Sequence, residues 1–432
     1  MRVRAVSEAH PQYVVVTLGS TGDLYPLMRI AKTLQALGRK VTFITHAVHA
    51  KQLHGSGFAF VGLGTEEDYL RLVQNPDLWD ERKGFSVLLA NYRDYLEEFD
   101  AAVRSVVGAA PIVAIAHFLA VPGAAILRER GLITSIVAVH LASSSLRTCH
   151  DPLRIGPITI ARWVPMSWRR ALWRFIDTRW IDPVGIAQIN AARASLNLPK
   201  VSSSFFAHIE DAPDLAVTAF PTWFAPIMPD WPQPLLPGDF QLFEAAPQDR
   251  FTPELSAFLA AQDKPLVFTP GTANRHAAAF FASALAAVTS LERRAIFLTT
   301  ERTQVRANLP ATVLWQPYAP LSQLLPHAEV LVHHGGIGTT AEALRAGTPE
   351  LVAPFGFDQF DNGACVASLG VGLVIPSKRL RPRKLARSLR TLLSSNSIRS
   401  RCAELATRFI PPHDPAVLCK EIERLAHGQH VV

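Results

Sequence analysis

At 432 residues, with 49% hydrophobic and 18% charged side chains, the chain is about two to three times the usual domain length and rich enough in apolar residues to exclude extended disorder. Its four cysteines, Cys149, Cys365, Cys402 and Cys419, are far apart and form no CxxC pair, which excludes a zinc ribbon or disulfide framework and fits a reducing cytoplasm. A net charge of +7 suits attraction to phosphates or to an anionic membrane surface and does not by itself indicate nucleic acid.

Met1 to Gln12 carries Arg2 and Arg4 but no apolar core, so it does not read as a signal peptide. Tyr13 to Leu18 is a continuous apolar run, the pattern of a parallel strand buried on both faces. A Gly-Ser-Thr-Gly-Asp turn follows, then a helix expected from Pro26 and closed by Gly38. Lys40–Thr45 is the second expected strand, with others at 58–61, 112–116 and 133–139. Ser105 to Leu127 has no charge and is long enough for a bilayer. Pro111, His117, Pro122 and Gly123 interrupt it, which favours strand, loop and helix in a buried sheet.

Arg154 to Trp180 interleaves six arginines with Trp163, Trp168, Trp173 and Trp180. On a helical wheel Arg170, Arg174 and Asp177 share one face, and Trp168, Leu172, Phe175 and Ile176 lie opposite. That pattern suits a helix packing its tryptophans inward, a membrane-skimming helix, or one wall of an apolar pocket. Residues 221–254 are proline-rich, as an extended linker is. A second alternating block then places strands at 265–269, 294–299, 312–316, 330–333, 350–353 and 372–375. Ala416–Ala426 is a short amphipathic helix. The expected layout is α/β: two Rossmann-like, doubly wound parallel sheets, over 1–238 and 263–410, with a linker at 239–262 and a helical tail at 411–432.

The most informative stretch is Val330 to Glu342, Val-Leu-Val-His-His-Gly-Gly-Ile-Gly-Thr-Thr-Ala-Glu. An apolar strand runs into glycines and then into a helix, with Glu342 expected on its first turn. Such a turn leaves backbone N–H groups facing an anion, and a histidine with two hydroxyls adds donors. A carboxylate just inside the helix suits a ribose diol, so the residues describe a nucleotide-diphosphate site. The alternatives are a metal pair at His333-His334, or a plain βα turn with one histidine in the core.

With Tyr318-Ala319-Pro320 upstream and Gly347-Thr348-Pro349 and Asp358-Gln359 downstream, the chain resembles the GT-B glycosyltransferases of family 1 from Tyr13 to about Ala426. Asn75-Pro76-Asp77-Leu78-Trp79-Asp80, Trp223-Phe224-Ala225-Pro226 and the run from Asp230 to Leu235 make it most similar to the bacterial rhamnosyltransferases of rhamnolipid synthesis. The resemblance implies a GT-B architecture with a central cleft. It implies a nucleobase stacked on Tyr318 beside Ala319, and a diphosphate on His334, Gly336, Gly338, Thr339 and Thr340 with Thr272 nearby. Ribose falls to Glu342 and sugar hydroxyls to Asp358 and Gln359. No Asp-x-Asp motif is present, so no metal cofactor is expected; the helix terminus and His334 are expected to supply the positive field.

Where many relatives place a catalytic histidine, the first turn here has Asp23, and counting back from Gly131 puts His117 at the end of the fourth strand. Asp23 as base supported by His117 is the catalytic expectation. His140, Trp168 and Phe205 are the acceptor-side candidates. The expected partners are a nucleotide sugar (dTDP-rhamnose or UDP-glucose) and an apolar hydroxyl acceptor, either a hydroxyalkanoyl lipid or an aromatic, polyketide or terpenoid scaffold. A cytoplasmic chain is expected, with peripheral contact at the inner face of the membrane and no nucleic acid. A Rossmann oxidoreductase fits poorly, because Gly19-Ser20-Thr21-Gly22-Asp23 is not GxGxxG. A non-catalytic sugar-binding subunit would not need Asp23.

Overall fold

The computed structural model describes residues 11–108, 110–244, 251–261, 263–410 and 414–429. Arg2 and Arg4, together with parts of the 239–262 linker and the 411–432 tail, lie outside the described residues.

The apolar runs of the first half become β1 (Gln12–Val16), β2 (Val41–His46), β3 (Ala59–Leu63), β4 (Ile112–His117) and β5 (Ser135–His140). A short antiparallel hairpin, β6 (Arg154–Ile155) and β7 (Ile158–Thr159), stands apart. With β8 (Leu215–Thr218) and β9 (Leu235–Leu236), the first five complete a parallel sheet in the order β3-β2-β1-β4-β5-β8-β9. The second half supplies β10 (Leu266–Thr269), β11 (Ala295–Leu298), β12 (Val313–Gln316), β13 (Val330–His333), β14 (Glu350–Val352) and β15 (Gly372–Val374). Their order is β12-β11-β10-β13-β14-β15, again parallel throughout. Both sheets are doubly wound, with a switch point between β1 and β4 in one and between β10 and β13 in the other. Such sheets bind ligands beyond the carboxyl ends of the strands flanking that point. Central strands are covered on both faces, and burying a side chain such as Phe43, Phe268 or Phe297 contributes roughly 1.5–3 kcal/mol.

Three expectations change. The first helix spans Thr21–Ala36 and does not start at Pro26. Ser20 caps it, and Asp23 closes a capping box back onto Ser20. Pro26 is tolerated because, so near the start, it removes a single bond, the one its N–H would give to Gly22. The proline-rich run is not simply a linker: Leu235–Leu236 pairs with β8 at Ala216↔Leu235, and Phe224, Trp231 and Phe240 are buried. Proline is confined to such an edge strand because it has no N–H for a central ladder. Finally, helix Ile337–Ala346 begins early enough that Glu342 falls on its second turn.

The uncharged Ser105–Leu127 stretch holds β4 and the start of helix Val121–Glu129, both buried in the first half. No helix of the described residues is long and apolar enough to cross a membrane. The C-terminal helix Ala416–Ala426 returns to the first half and packs on helix Thr21–Ala36. There Cys419 Sγ lies 3.7 Å from the Ile30 carbonyl, and Glu423 pairs with Arg39.

Candidate active site

One cleft of about 1200 Å³ runs between the carboxyl ends of the two sheets. On the first side the Gly19–Asp23 turn follows β1. Asp23 Oδ2 accepts from Ser20 N at 2.7 Å and from Ser20 Oγ at 3.1 Å. A side chain at residue 19 would overlap that same carboxylate, so glycine is required there. The other oxygen, Oδ1, is 3.7 Å from His117 Nε2 at the end of β4. Burial lowers the His117 pKa against the opposing pull of Asp23. Its Nδ1 is buried with no hydrogen-bond partner among the described residues. The pair therefore sits at the first switch point, as a neutral imidazole beside a carboxylate with one oxygen turned to the cleft.

On the second side, β13 ends at His333 and the chain turns through Gly335 into helix Ile337–Ala346. The two histidines part company. His333 is fully buried, its Nε2 lies 2.9 Å from Glu350 Oε2, and its Nδ1 accepts from Gly335 N at 3.2 Å. The rings stand at 90° to each other, and His333 serves the core. His334 lines the cleft, pressed between Gly271 and Gly336; a Cβ on Gly336 would overlap its Nε2. Burial pushes the His334 pKa down to about 4. It is thus a neutral N–H donor, and in the open cleft the positive field comes from the helix terminus alone. That helix begins at Gly336 with no side-chain cap and no acidic residue in its first turn.

Gly336, Gly338 and Thr339 line the cleft, as do Thr272, Tyr318 and Ala319. Thr340 does not; it is fully buried behind the turn. Burial pushes the Glu342 carboxyl up to about 7, while Arg345 opposes the rise through a 2.6 Å bond to Oε2. Gln359 Oε1 accepts from Phe355 N at 2.8 Å and Gly356 N at 3.2 Å, which leaves its amide N–H₂ for a ligand. Asp358 is pushed up to about 7 by burial and then by the negative charge of Asp23 across the cleft, while Asn362 donates to its Oδ2 at 2.7 Å. That coupling brings the residue expected to hold donor hydroxyls close to the expected base.

Of the acceptor-side candidates, none lines the cleft. His140 is the buried last residue of β5, with Nδ1 3.0 Å from Ser145 Oγ. Phe205 is fully buried, and its neighbour Phe206 faces the cleft instead. Trp168 is 71% exposed on the outer surface. Its helix is phased by Arg169, whose guanidinium is buried and donates to the carbonyls of Cys149, Ala161, Arg162 and Val164. That anchor turns Trp173 inward, where Nε1 donates to Thr148 O at 2.9 Å, and turns Trp168 and Phe175 out.

The apolar wall is built from Leu88, Phe118, Trp173, Phe206, Met228 and Trp231. Arg147 sits among them, its side chain 10% exposed, over the faces of Trp173 and Phe206, with Nη1 at 2.5 and 2.7 Å from the Asp177 carboxylate oxygens. Sequence reasoning missed Arg147 and also His46, a cleft-lining residue at the end of β2 whose pKa burial pushes down to about 4. His46 had a usable signal, a polar residue closing a parallel strand. Arg147 lies in a loop and had none.

The two conspicuous short runs also find their places. Asp230 holds the 146–149 loop, accepting from Thr148 Oγ1 and Cys149 N at 2.7 Å each. Trp79 reaches across to the second half and packs edge-on to Phe355 and Phe357, while Lys378 pairs with Asp80 and Glu81.

Two family models match the chain. The N-terminal domain of glycosyltransferase family 28 matches residues 13–143, and the C-terminal domain of proteins like the erythromycin biosynthesis protein CIII matches residues 282–425. Glycosyltransferase GtfC of Amycolatopsis orientalis is 28% identical over 83% of this chain and 84% of its own length. Among solved structures, the glycotransferase of kitacinnamycin superposes with a TM-score of 0.70 at 20% identity, covering 96% of this chain and 99% of its own. The spinosyn rhamnosyltransferase SpnG complexed with thymidine diphosphate gives 0.64 at 19% identity, covering 95% and 100%.

Proposed function

We propose, from the premise that this chain belongs to the GT-B glycosyltransferase superfamily, that it is an inverting enzyme moving a sugar from a nucleoside diphosphate to a hydroxyl of an apolar acceptor. One observation carries the reading: the Asp23 carboxylate, with Oδ1 beside His117, and an uncapped helix terminus face the same cleft from opposite sheets. Asp23 Oδ1 takes the proton of the acceptor hydroxyl as that oxygen attacks the anomeric carbon from the face opposite the nucleotide. His117 keeps the carboxylate oriented. The diphosphate leaves into the N–H groups of Gly336 to Thr339 and the His334 ring, which stabilise the developing charge without a divalent cation. Tyr318 and Ala319 would hold the base, Glu342 the ribose, and Asp358 with Gln359 the sugar.

We read the donor as a dTDP-6-deoxyhexose such as dTDP-rhamnose. Trp79 and Phe357 put an apolar edge beside Asp358 and Gln359, which suits a methyl group better than a hydroxymethyl. The Leu88–Trp231 wall suits an acceptor with an apolar body, a hydroxyalkanoyl lipid, met in the cytoplasm at the inner face of the membrane. The match to the erythromycin-type model favours a natural-product scaffold as acceptor in a second reading, for which UDP-glucose is the alternative donor.

Thermal-shift measurement with a panel of nucleotide sugars, followed by assay of nucleoside diphosphate release with each acceptor class, tests both. Stabilisation by dTDP-rhamnose and release that depends on the lipid acceptor are expected. Stabilisation by UDP-glucose and not by dTDP-rhamnose would sink the rhamnosyl reading. No release with any pair would sink the transferase reading itself.

A further inference from the structure

The outer surface of residues 158–180 combines large exposed apolar side chains with exposed arginines. Ile158 is 59% exposed, Trp163 84%, Trp168 71%, Phe175 56% and Trp180 49%. Between them stand the exposed Arg162, Arg170, Arg174 and Arg179. The one acid from Arg154 to Ile181 is Asp177, buried and bonded to Arg147, so the exposed charges that this segment itself carries are all positive.

The exposure is built in. Arg169 spends its guanidinium on four loop carbonyls and an ion pair with Asp151 at 3.1 Å, fixing the helix Met166–Ile176 so that Trp168 and Phe175 point outward. A wide π-type turn at Asp177–Ile181 then sets Trp180 against Phe175, rings 5.3 Å apart at 86°. The same segment reaches the cleft: Arg154, Ile155, Gly156 and Trp173 line it, and the exposed Arg162 stands between cleft and outer surface. The patch therefore lies on the same segment that lines the cleft beside the Leu88–Trp231 wall.

We propose that Ile158, Trp163, Trp168, Phe175 and Trp180, with Arg162, Arg170, Arg174 and Arg179, dock this protein on an anionic lipid bilayer, with this segment of the cleft wall facing the lipid. Indole rings settle at the headgroup boundary, where one edge is apolar and the other wet, and guanidinium groups pair with lipid phosphates. Charge complementarity selects this occupant: a protein partner would need an acidic surface studded with aromatic pockets, whereas an anionic bilayer offers both properties everywhere. Docking rests on the surface alone. Its use, delivering acceptor out of the lipid, rests on the glycosyltransferase reading.

The test is flotation of the full chain with phosphatidylcholine vesicles that contain or lack phosphatidylglycerol, at low and high salt. Co-flotation with the anionic vesicles is expected, weakening as salt rises. Substituting Trp163→Ser, Phe175→Ser and Trp180→Ser together should cut binding roughly tenfold or more. So should the double charge reversal Arg170→Glu, Arg174→Glu. Both variants should bind thymidine or uridine diphosphate as the unaltered chain does, which shows that the fold is intact. The idea is overturned if the unaltered chain ignores anionic vesicles, if both variants float like it, or if gel filtration shows a dimer that the triple variant dissolves. A chain that floats but binds no nucleoside diphosphate would sink the glycosyltransferase reading and leave the docking standing.

Discussion

The two glycine turns lie on opposite sides of their switch points, one after β1 and the other after β13, the counterpart of β4, and they offer opposite chemistry. After β1, Ser20 and Asp23 close a capping box, so the first helix satisfies its own leading N–H groups and places a negative charge at its start. After β13, the second helix begins at Gly336 with no cap and no acid in its first turn, so its N–H groups are left for an anion. Capping alone separates a site that repels phosphate and can accept a proton from a site that receives a leaving diphosphate. Position in the fold makes a cleft; the first three residues of each helix decide what each side of it does.

Removing the charge from the first turn should have the largest effect. Asp23→Asn keeps an oxygen for the cap but loses the base, and turnover should fall about a thousandfold while calorimetry shows unchanged donor affinity. Near-native turnover would end the assignment of Asp23. Making the second turn resemble the first comes next. Thr339→Asp places a carboxylate at the third helical position, where Asp23 stands in the first helix, and should weaken nucleoside diphosphate binding roughly a hundredfold without lowering the melting temperature. A smaller effect belongs to the partner of the base. His117→Gln should lower kcat roughly tenfold and leave the donor KM alone; a change in KM with kcat intact would make His117 a pocket residue instead.

The smallest effect is on stability. The folded Asp358 carboxyl is raised to about 7 from an ordinary 3.8 by burial and by Asp23. Between those values the folded state holds a proton that the unfolded chain has released, so stability falls as pH rises through that window. Asp358→Asn should flatten this part of the slope in melting temperature against pH, and Asp23→Asn should flatten a fraction of it. Identical slopes in all three proteins would mean that the two sides of the cleft are not electrically coupled.

Much of this was legible from residue order. Strands such as Val330–His333 are short apolar runs buried on both faces, and buried parallel strands advertise themselves because no solvent-facing residue interrupts them. The βα turns were legible for a similar reason, since glycines and hydroxyls gather where the backbone must come close to something. Counting placed His117 at a strand end because the length of a parallel strand is fixed by its neighbours. What failed depended on phase or on distant contacts. Phe206 takes the place expected of Phe205 because the phase of a short helix is set by its docking, not by its composition. Trp168 faces out because Arg169 finds four carbonyls in loops that sequence does not bring together. Leu235–Leu236 joins a sheet through one neighbouring strand, and nothing in a run of prolines announces that pairing. The reach of Trp79 to Phe357 is tertiary from the outset.

The return of helix Ala416–Ala426 to the first half gives the molecule a timetable. Cys419 and Ile422 are buried in the same apolar cluster as Tyr13 and Ile30, so the earliest strand to leave the ribosome is sealed by almost the last helix. At about 5–20 residues per second, roughly 10 to 40 s of synthesis separates the end of the first sheet from the helix that covers it. For that interval the nascent first half carries an open apolar stripe. A ribosome that stops short of Ala416 releases a chain with both sheets written and the first left uncovered, which quality control can recognise by that stripe alone.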